Sequence, residues 1–105
     1  MKKRKKKKLK YVIIRSYAAG VFAGELEKAW VEGSIRIVSI LNSRRIHHWD
    51  GAASLSQLAM EGVTEPANCR FAMEVGKEEI SNVIEIINTT PMAEKCIKGV
   101  TVWKR

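Results

Sequence analysis

The sequence predicts an α+β domain: a mainly antiparallel sheet of about five to six strands with two short helices on one face. Three observations carry this reading. β-Branched and aromatic runs open the chain and are punctuated by turn residues. Two later segments bear helix-starting residues at one end and a glycine at the other. Strands come first, and a mixture of helices and strands follows, which is the order expected of an α+β sheet.

Lys10 to Ser16 reads as the first strand, because Val12, Ile13 and Ile14 favour extended backbone and Ser16 to Gly20 supply a break. Val21 to Trp30 is a second strand with alternating side chains. Val31, Glu32, Gly33 and Ser34 make the turn, with Gly33 free to take a positive φ, and Ile35, Ile37 and Ile40 open a third strand of an antiparallel meander. Asn42 and Ser43 turn or bulge the chain before Arg44 to Trp49, which either continues that strand or starts a fourth. Asp50 is expected to cap a helix with Ala52, Leu55, Leu58 and Ala59 on one apolar stripe and Gly62 past its end. Thr64, Pro66 and Asn68 mark a loop, and Arg70 to Val75 a further strand that Gly76 ends. In Glu79 to Asn88, the positions of Ile80, Val83, Ile84 and Ile87 fit a helix, whereas the β-branched run from Val83 to Ile87 fits a buried strand; the strand is preferred. Thr90 and Pro91 start the second helix, Gly99 stops it, and Val100 to Trp103 is a short closing strand or tail.

The formal charge of +8 is localised: Lys2, Lys3, Arg4, Lys5, Lys6, Lys7, Lys8 and Lys10 account for all of it. Removing those eight from 19 Lys and Arg leaves 11, equal to the 11 Asp and Glu of the remainder. Clustered like charges repel and bury no apolar surface, so residues 1–9 are expected to be a disordered basic tail, ahead of a single α+β domain over residues 10–105 with one core. Residues 1–10 are expected to bind polyanions weakly. Lys10 and Arg15 interrupt the apolar run after the basic stretch, so neither a secretory signal nor a membrane partner is expected. Cys69 and Cys96 have neither redox nor zinc spacing; they read as buried small hydrophobes in a reduced cytoplasm.

The chemistry concentrates at one place. Arg44, Arg45, His47, His48 and Trp49 directly precede Asp50-Gly51-Ala52-Ala53-Ser54, where the helix is expected to open. The first amides of a helix lack internal partners and carry the positive end of its dipole, so they attract phosphate or carboxylate. A neighbouring arginine adds a forked donor, and an indole or imidazole gives a base a face to stack on. Strand alternation puts Arg45, His47 and Trp49 on one side, so Arg45 is the arginine expected to face a ligand. The candidate ligand-binding residues are therefore Arg44, Arg45, His47, Trp49, Asp50, Gly51, Ala52 and Ser54. A second patch adds Arg15 and Tyr17, where small residues alternate with aromatics through Gly24. Set against this, Asp50 competes for the same amides, Trp49 packs equally well in a core, and Phe22 suits a hairpin bend with its ring buried.

Neither catalysis nor a metal is expected. No GxSxG elbow, Walker loop or dinucleotide fingerprint is present. His47 and His48 project to opposite sides of a strand and cannot readily share an ion. No cofactor is called for.

The segments YVIIRSYAAGVFAGELE, SRRIHHWDGAASLSQLAMEG and EPANCRFAMEV resemble a family of short bacteriophage and prophage proteins defined by an uncharacterised domain, over about Lys10 to Trp103. The stretch from Trp49 to Gly62 is its most specific part. The resemblance extends to phage anti-defence sponges of the Thoeris-antagonist kind, which bind cyclic ADP-ribose-like or cyclic oligonucleotide signals without cleaving them. It implies a homo-oligomer in the cytoplasm of an infected or lysogenic bacterial host, with a small nucleotide as partner. The site residues come from their own chemistry and not from the resemblance. Two alternatives stand beside this one: a nucleic-acid or ribonucleoprotein accessory protein that uses the Lys-rich stretch, and a small hydrolase of nucleotide signals with His47 and Asp50 as acid and base.

Overall fold

The structure is a computed structural model that describes residues 8–105. Most of the expected disordered tail, residues 1–7, lies outside the described residues. Six strands and two helices follow in the order β1 (Tyr11–Ser16), β2 (Gly20–Glu32), β3 (Ile35–His48), α1 (Leu55–Glu61), β4 (Arg70–Phe71), β5 (Val75–Ile80), β6 (Val83–Asn88) and α2 (Pro91–Gly99). A single 3-10 turn over Pro66–Asn68 precedes β4. All strand pairings are antiparallel, and the architecture is α+β. Among the described residues, no helix is long and apolar enough to cross a membrane.

The sheet order is β4-β3-β2-β1-β6, and β5 pairs with β3 on the same side as β4. That order forces the sheet to curl. In a flat sheet β5 and β6 would stand four strand spacings apart, ~19 Å. Ser81 and Asn82 alone connect them, and three Cα steps span at most ~11 Å. The sheet therefore bends into a half-barrel with two apolar faces. Outside the curl, Tyr11, Ile13, Ala23, Ile46 and Phe71 pack with Leu58 and Ala59 of α1 and Ile97 of α2. Inside it, Val12, Ile14, Phe22, Val38, Ile40, Ile80 and Val83 form a second cluster. Two cores thus replace the one expected. β1 is shared by both, which explains why Tyr11-Val12-Ile13-Ile14 is apolar without alternation.

Several boundaries differ from the sequence reading, each for a local reason. Arg44 to His48 continue β3, and Asn42 takes a φ of 51° within the strand. The helix opens at Leu55, four residues later than expected. Gly51 sits at φ 90°, outside helical backbone, and Asp50 Oδ1 accepts a bond from the Gly51 amide at 2.9 Å instead of capping a helix. Ser54 is the cap, accepting from the Gln57 amide at 3.1 Å. The expected strand from Arg70 to Val75 is broken at Ala72–Glu74, and Gly76 lies inside β5 rather than ending a strand. The preferred strand from Glu79 to Asn88 is two strands, separated where Asn82 takes a φ of 54°. Two bonds hold that turn against the end of β1: Ser16 Oγ donates to the Ser81 carbonyl at 2.8 Å and the Tyr17 amide to the Asn82 carbonyl at 3.0 Å. Val102 forms a lone parallel bridge to Phe71.

Candidate functional site

The adjacent Arg44 and Arg45 of β3 point to opposite faces and meet opposite fates. Arg44 is 3% exposed. Its Nε donates to the Ala72 carbonyl at 2.9 Å, Nη1 to the Ile97 and Val100 carbonyls at 2.9 and 2.8 Å, and Nη2 to the Phe71 carbonyl at 3.1 Å. One guanidinium thereby gathers four backbone carbonyls at the end of α2 and the break between β4 and β5. Burial lowers its pKa, and neighbouring Tyr11 and Glu74 oppose that. Tyr11 carries a buried hydroxyl without a hydrogen-bond partner among the described residues, and burial raises its phenol pKa against the pull of Arg44. Arg44 is consumed by structure and is not available to a ligand.

Arg45 and His47 sit on the other face of β3. The Arg45 guanidinium lies 4.7 Å from the centre of the Phe22 ring, over the mouth of the inner cluster, and 3.9 Å from Glu78 Oε2. Both partners of that pair are part-exposed, so water weakens it. Glu78 is held by Ser43, whose hydroxyl donates to Oε1 at 2.7 Å. Ser43, Arg45, His47, Met73, Val75 and Glu78 contribute to an open groove of about 200 Å³ between β3 and the β4–β5 break. On the far side, the His47 ring stands 5.4 Å from that of Trp103 at a tilt of 58°, and the Arg70 guanidinium lies 5.4 Å from the Trp103 ring centre. Trp103 is 48% exposed. The Trp103 amide donates to the Phe71 carbonyl at 2.9 Å, which fixes the backbone beneath the indole.

The cradle expected at the helix start is occupied by the protein itself. Gly51 gives its amide to Asp50, Ala53 to Gln57 Oε1 at 2.7 Å, and Gln57 to Ser54. Trp49 leaves the face of Arg45 and His47, because the strand ends at His48; its indole packs against the helix-side core and donates to the Ala52 carbonyl at 3.2 Å. Gly51 is pressed against the loop after α1, where an added Cβ would stand 2.6 Å from the amide nitrogens of Thr64 and Glu65. Arg15 pairs with Glu85 at 2.9 Å across β1 and β6, with the side-chain parity of Ile13 rather than of Arg45. Tyr17 is exposed in the turn after β1, and Phe22 is fully buried. Of the expected ligand-binding residues, the structure brings together Arg45 and His47 and joins to them Arg70 and Trp103. The sequence signal for Trp103 was its position before Lys104 and Arg105, an aromatic within a cationic run.

His47 and Asp50 do not meet as an acid and base: the first contacts Trp103, the second its own turn. Among the described residues, no group of three or more His, Cys, Asp or Glu is placed to hold a metal. Cys69 is buried and Cys96 half-buried, both unpaired, and their sulfurs accept bonds from the Asp50 and Val63 amides. A separate groove of about 350 Å³, lined in part by Lys8, Lys10, Tyr11, Thr89 and Glu94, lies beside the start of α2, away from the cationic face.

Fold and site together define a small α+β domain with one helix-covered face and one open face bearing cations around an exposed indole. The chain belongs to the family described as Domain of unknown function (DUF6948), whose model matches residues 9–97. No curated protein and no solved structure matches it. The match includes Arg45, His47 and Arg70, while Trp103 lies beyond it.

Proposed function

We propose that this protein is a non-catalytic nucleotide-binding protein that takes its ligand on the open face of β3, with the base against Trp103 and a phosphate at Arg45 or Arg70. The observation that carries this reading is the exposed Trp103 indole flanked by the His47 ring and the Arg70 guanidinium. A nucleotide needs a flat polarisable surface and a nearby cation, and this face offers both within one side chain's reach. Arg45 becomes available once a phosphate displaces Glu78, whose long and part-exposed contact holds it weakly.

Sequestration of a small immune-signal nucleotide, which the resemblance to phage anti-defence proteins implies, demands more than this face supplies alone. Pockets that hold drug-sized ligands tightly enclose ~300 Å³ or more and cover most of the ligand. The groove beside Arg45 is smaller and open. A second copy of the chain roofing this face would complete the enclosure, which ties the sponge reading to the homo-oligomer.

Calorimetry against ADP-ribose derivatives and cyclic di- and trinucleotides tests the reading, followed by denaturation and chromatography of the released ligand. Binding should be saturable, weakened about tenfold or more by Arg45→Ala, and return the ligand unaltered. Cleaved ligand would contradict a binding protein, and full affinity in both Arg45→Ala and Arg70→Ala would remove the site.

A further inference from the structure

From the openness of the stacking face and the charge of the chain, we infer that the ligand is single-stranded nucleic acid, bound base by base on Trp103. This rests on the nucleotide-binding reading above and names its ligand class. Trp103 is half exposed: the Arg70 guanidinium lies over its ring and the tilted His47 ring stands beside it, which leaves the rest of the indole open to solvent. A monomeric nucleotide on such a half-open platform gains one stacking contact and one phosphate contact, with little burial to offset its loss of freedom. A polynucleotide adds phosphate contacts at Arg45, Arg70 and the Lys-rich segments to the one stacked base, and releases counterions at each neutralised phosphate. Open platforms therefore select strands over monomers.

The sequence supplies the matching charge. Lys104 and Arg105 directly follow the indole, and eight Lys and Arg occur in the first ten residues. Residues 11–105, Lys104 and Arg105 included, carry equal numbers of basic and acidic side chains, so the charge of the first ten residues does not balance internal acids. Charge alone would bind any polyanion; the indole adds a preference for unpaired bases, since a duplex keeps its base faces stacked internally. Arg45 and Arg70 lie on the same side of the sheet as the His47 ring, so cations flank the indole from β3 and from β4.

The test titrates the full chain with an oligothymidylate of ~20 nucleotides, with thymidine monophosphate, and with a duplex of equal length, at low and moderate salt. The oligothymidylate should bind at least about fiftyfold more tightly than the monophosphate. Trp103→Ala should weaken oligothymidylate binding about five- to 150-fold while leaving duplex affinity unchanged, and Trp103→Phe should retain most of it. Arg70→Ala, which leaves the indole in place, should weaken the oligothymidylate by a smaller factor and flatten its salt dependence. Unchanged affinity in a folded Trp103→Ala protein overturns the inference and leaves binding to charge alone. Equal affinity for monophosphate and oligonucleotide also overturns it, yet leaves the nucleotide-binding reading standing. Failure to bind any nucleotide, single or polymeric, ends both.

Discussion

Arg44 and Arg45 are adjacent in one strand, yet they belong to two regions built on opposite principles. On the helix-covered face, Arg44 is sealed in and every bond it makes is to a backbone carbonyl of its own chain. On the open face, Arg45 rests on a ring and a distant carboxylate, and nothing covers it. Strand alternation alone separates the two roles. The same residue type is a structural rivet when its donors meet buried backbone carbonyls and a solvent-facing cation when they do not. Residue identity is thus a weak guide to function unless the face is known.

The largest expected effect tests that division directly. Arg44→Met should destabilise the fold by about 3–5 kcal/mol, because the carbonyls of Ala72 and Val100 lose their Arg44 donor and those of Phe71 and Ile97 lose one of two, in a site largely closed to water. Arg45→Met should cost no more than about 1 kcal/mol, since it removes only a screened pair and one exposed cation–π contact. Urea denaturation of both variants checks the contrast. Equal losses would mean that the two faces do not differ as described.

A smaller effect sharpens where α1 begins. Ser54→Ala should cost about 1 kcal/mol, the usual penalty for removing a helix cap. Asp50→Ala should cost less, because its carboxylate closes a turn on an exposed amide rather than a helix. The reverse order in thermal melts would restore the helix start to Asp50 and with it the anion cradle.

The sequence held the information for that choice. Ser54 is followed three residues later by Gln57, the spacing of a capping box, whereas the third residue after Asp50 is Ala53, which has no side chain to reach back. Much of the amino-terminal half was equally legible: the apolar run of β1, the turn at Gly33 and the start of β3 follow from local preference and alternation, whereas its continuation through Arg44 to His48 was one of two readings. What could not be read was fixed by distant partners. The turn at Asn82 depends on Ser16 and Tyr17, more than 60 residues earlier. The burial of Arg44 depends on the end of α2, and the indole of Trp103 comes beside His47 and Arg70 only because the Phe71 bridge lays it there. The second core also escaped, because curling of the sheet follows from the two-residue link between β5 and β6 and not from any one strand's pattern.

The smallest effect concerns a polar network that is the wet counterpart of Arg44. Glu27 accepts a 2.8 Å bond from the buried Ser39 hydroxyl and pairs with Lys77 at 3.3 Å, joining β2, β3 and β5 at the surface. The Ser39 bond first, and Lys77 after it, hold the Glu27 carboxyl below its usual pKa. A carboxylate whose pKa is lower folded than unfolded adds stability above the unfolded value and loses it as pH falls through the folded one. Glu27→Gln should therefore lower the urea midpoint slightly near neutrality, and the gap should close in acid once the carboxylate is protonated. Because water reaches this network, the gap should be far smaller than the loss in Arg44→Met at every pH. A gap that persists unchanged into acid would mean that Glu27 acts through packing or a neutral bond to Ser39, and that ionisation does nothing at this site.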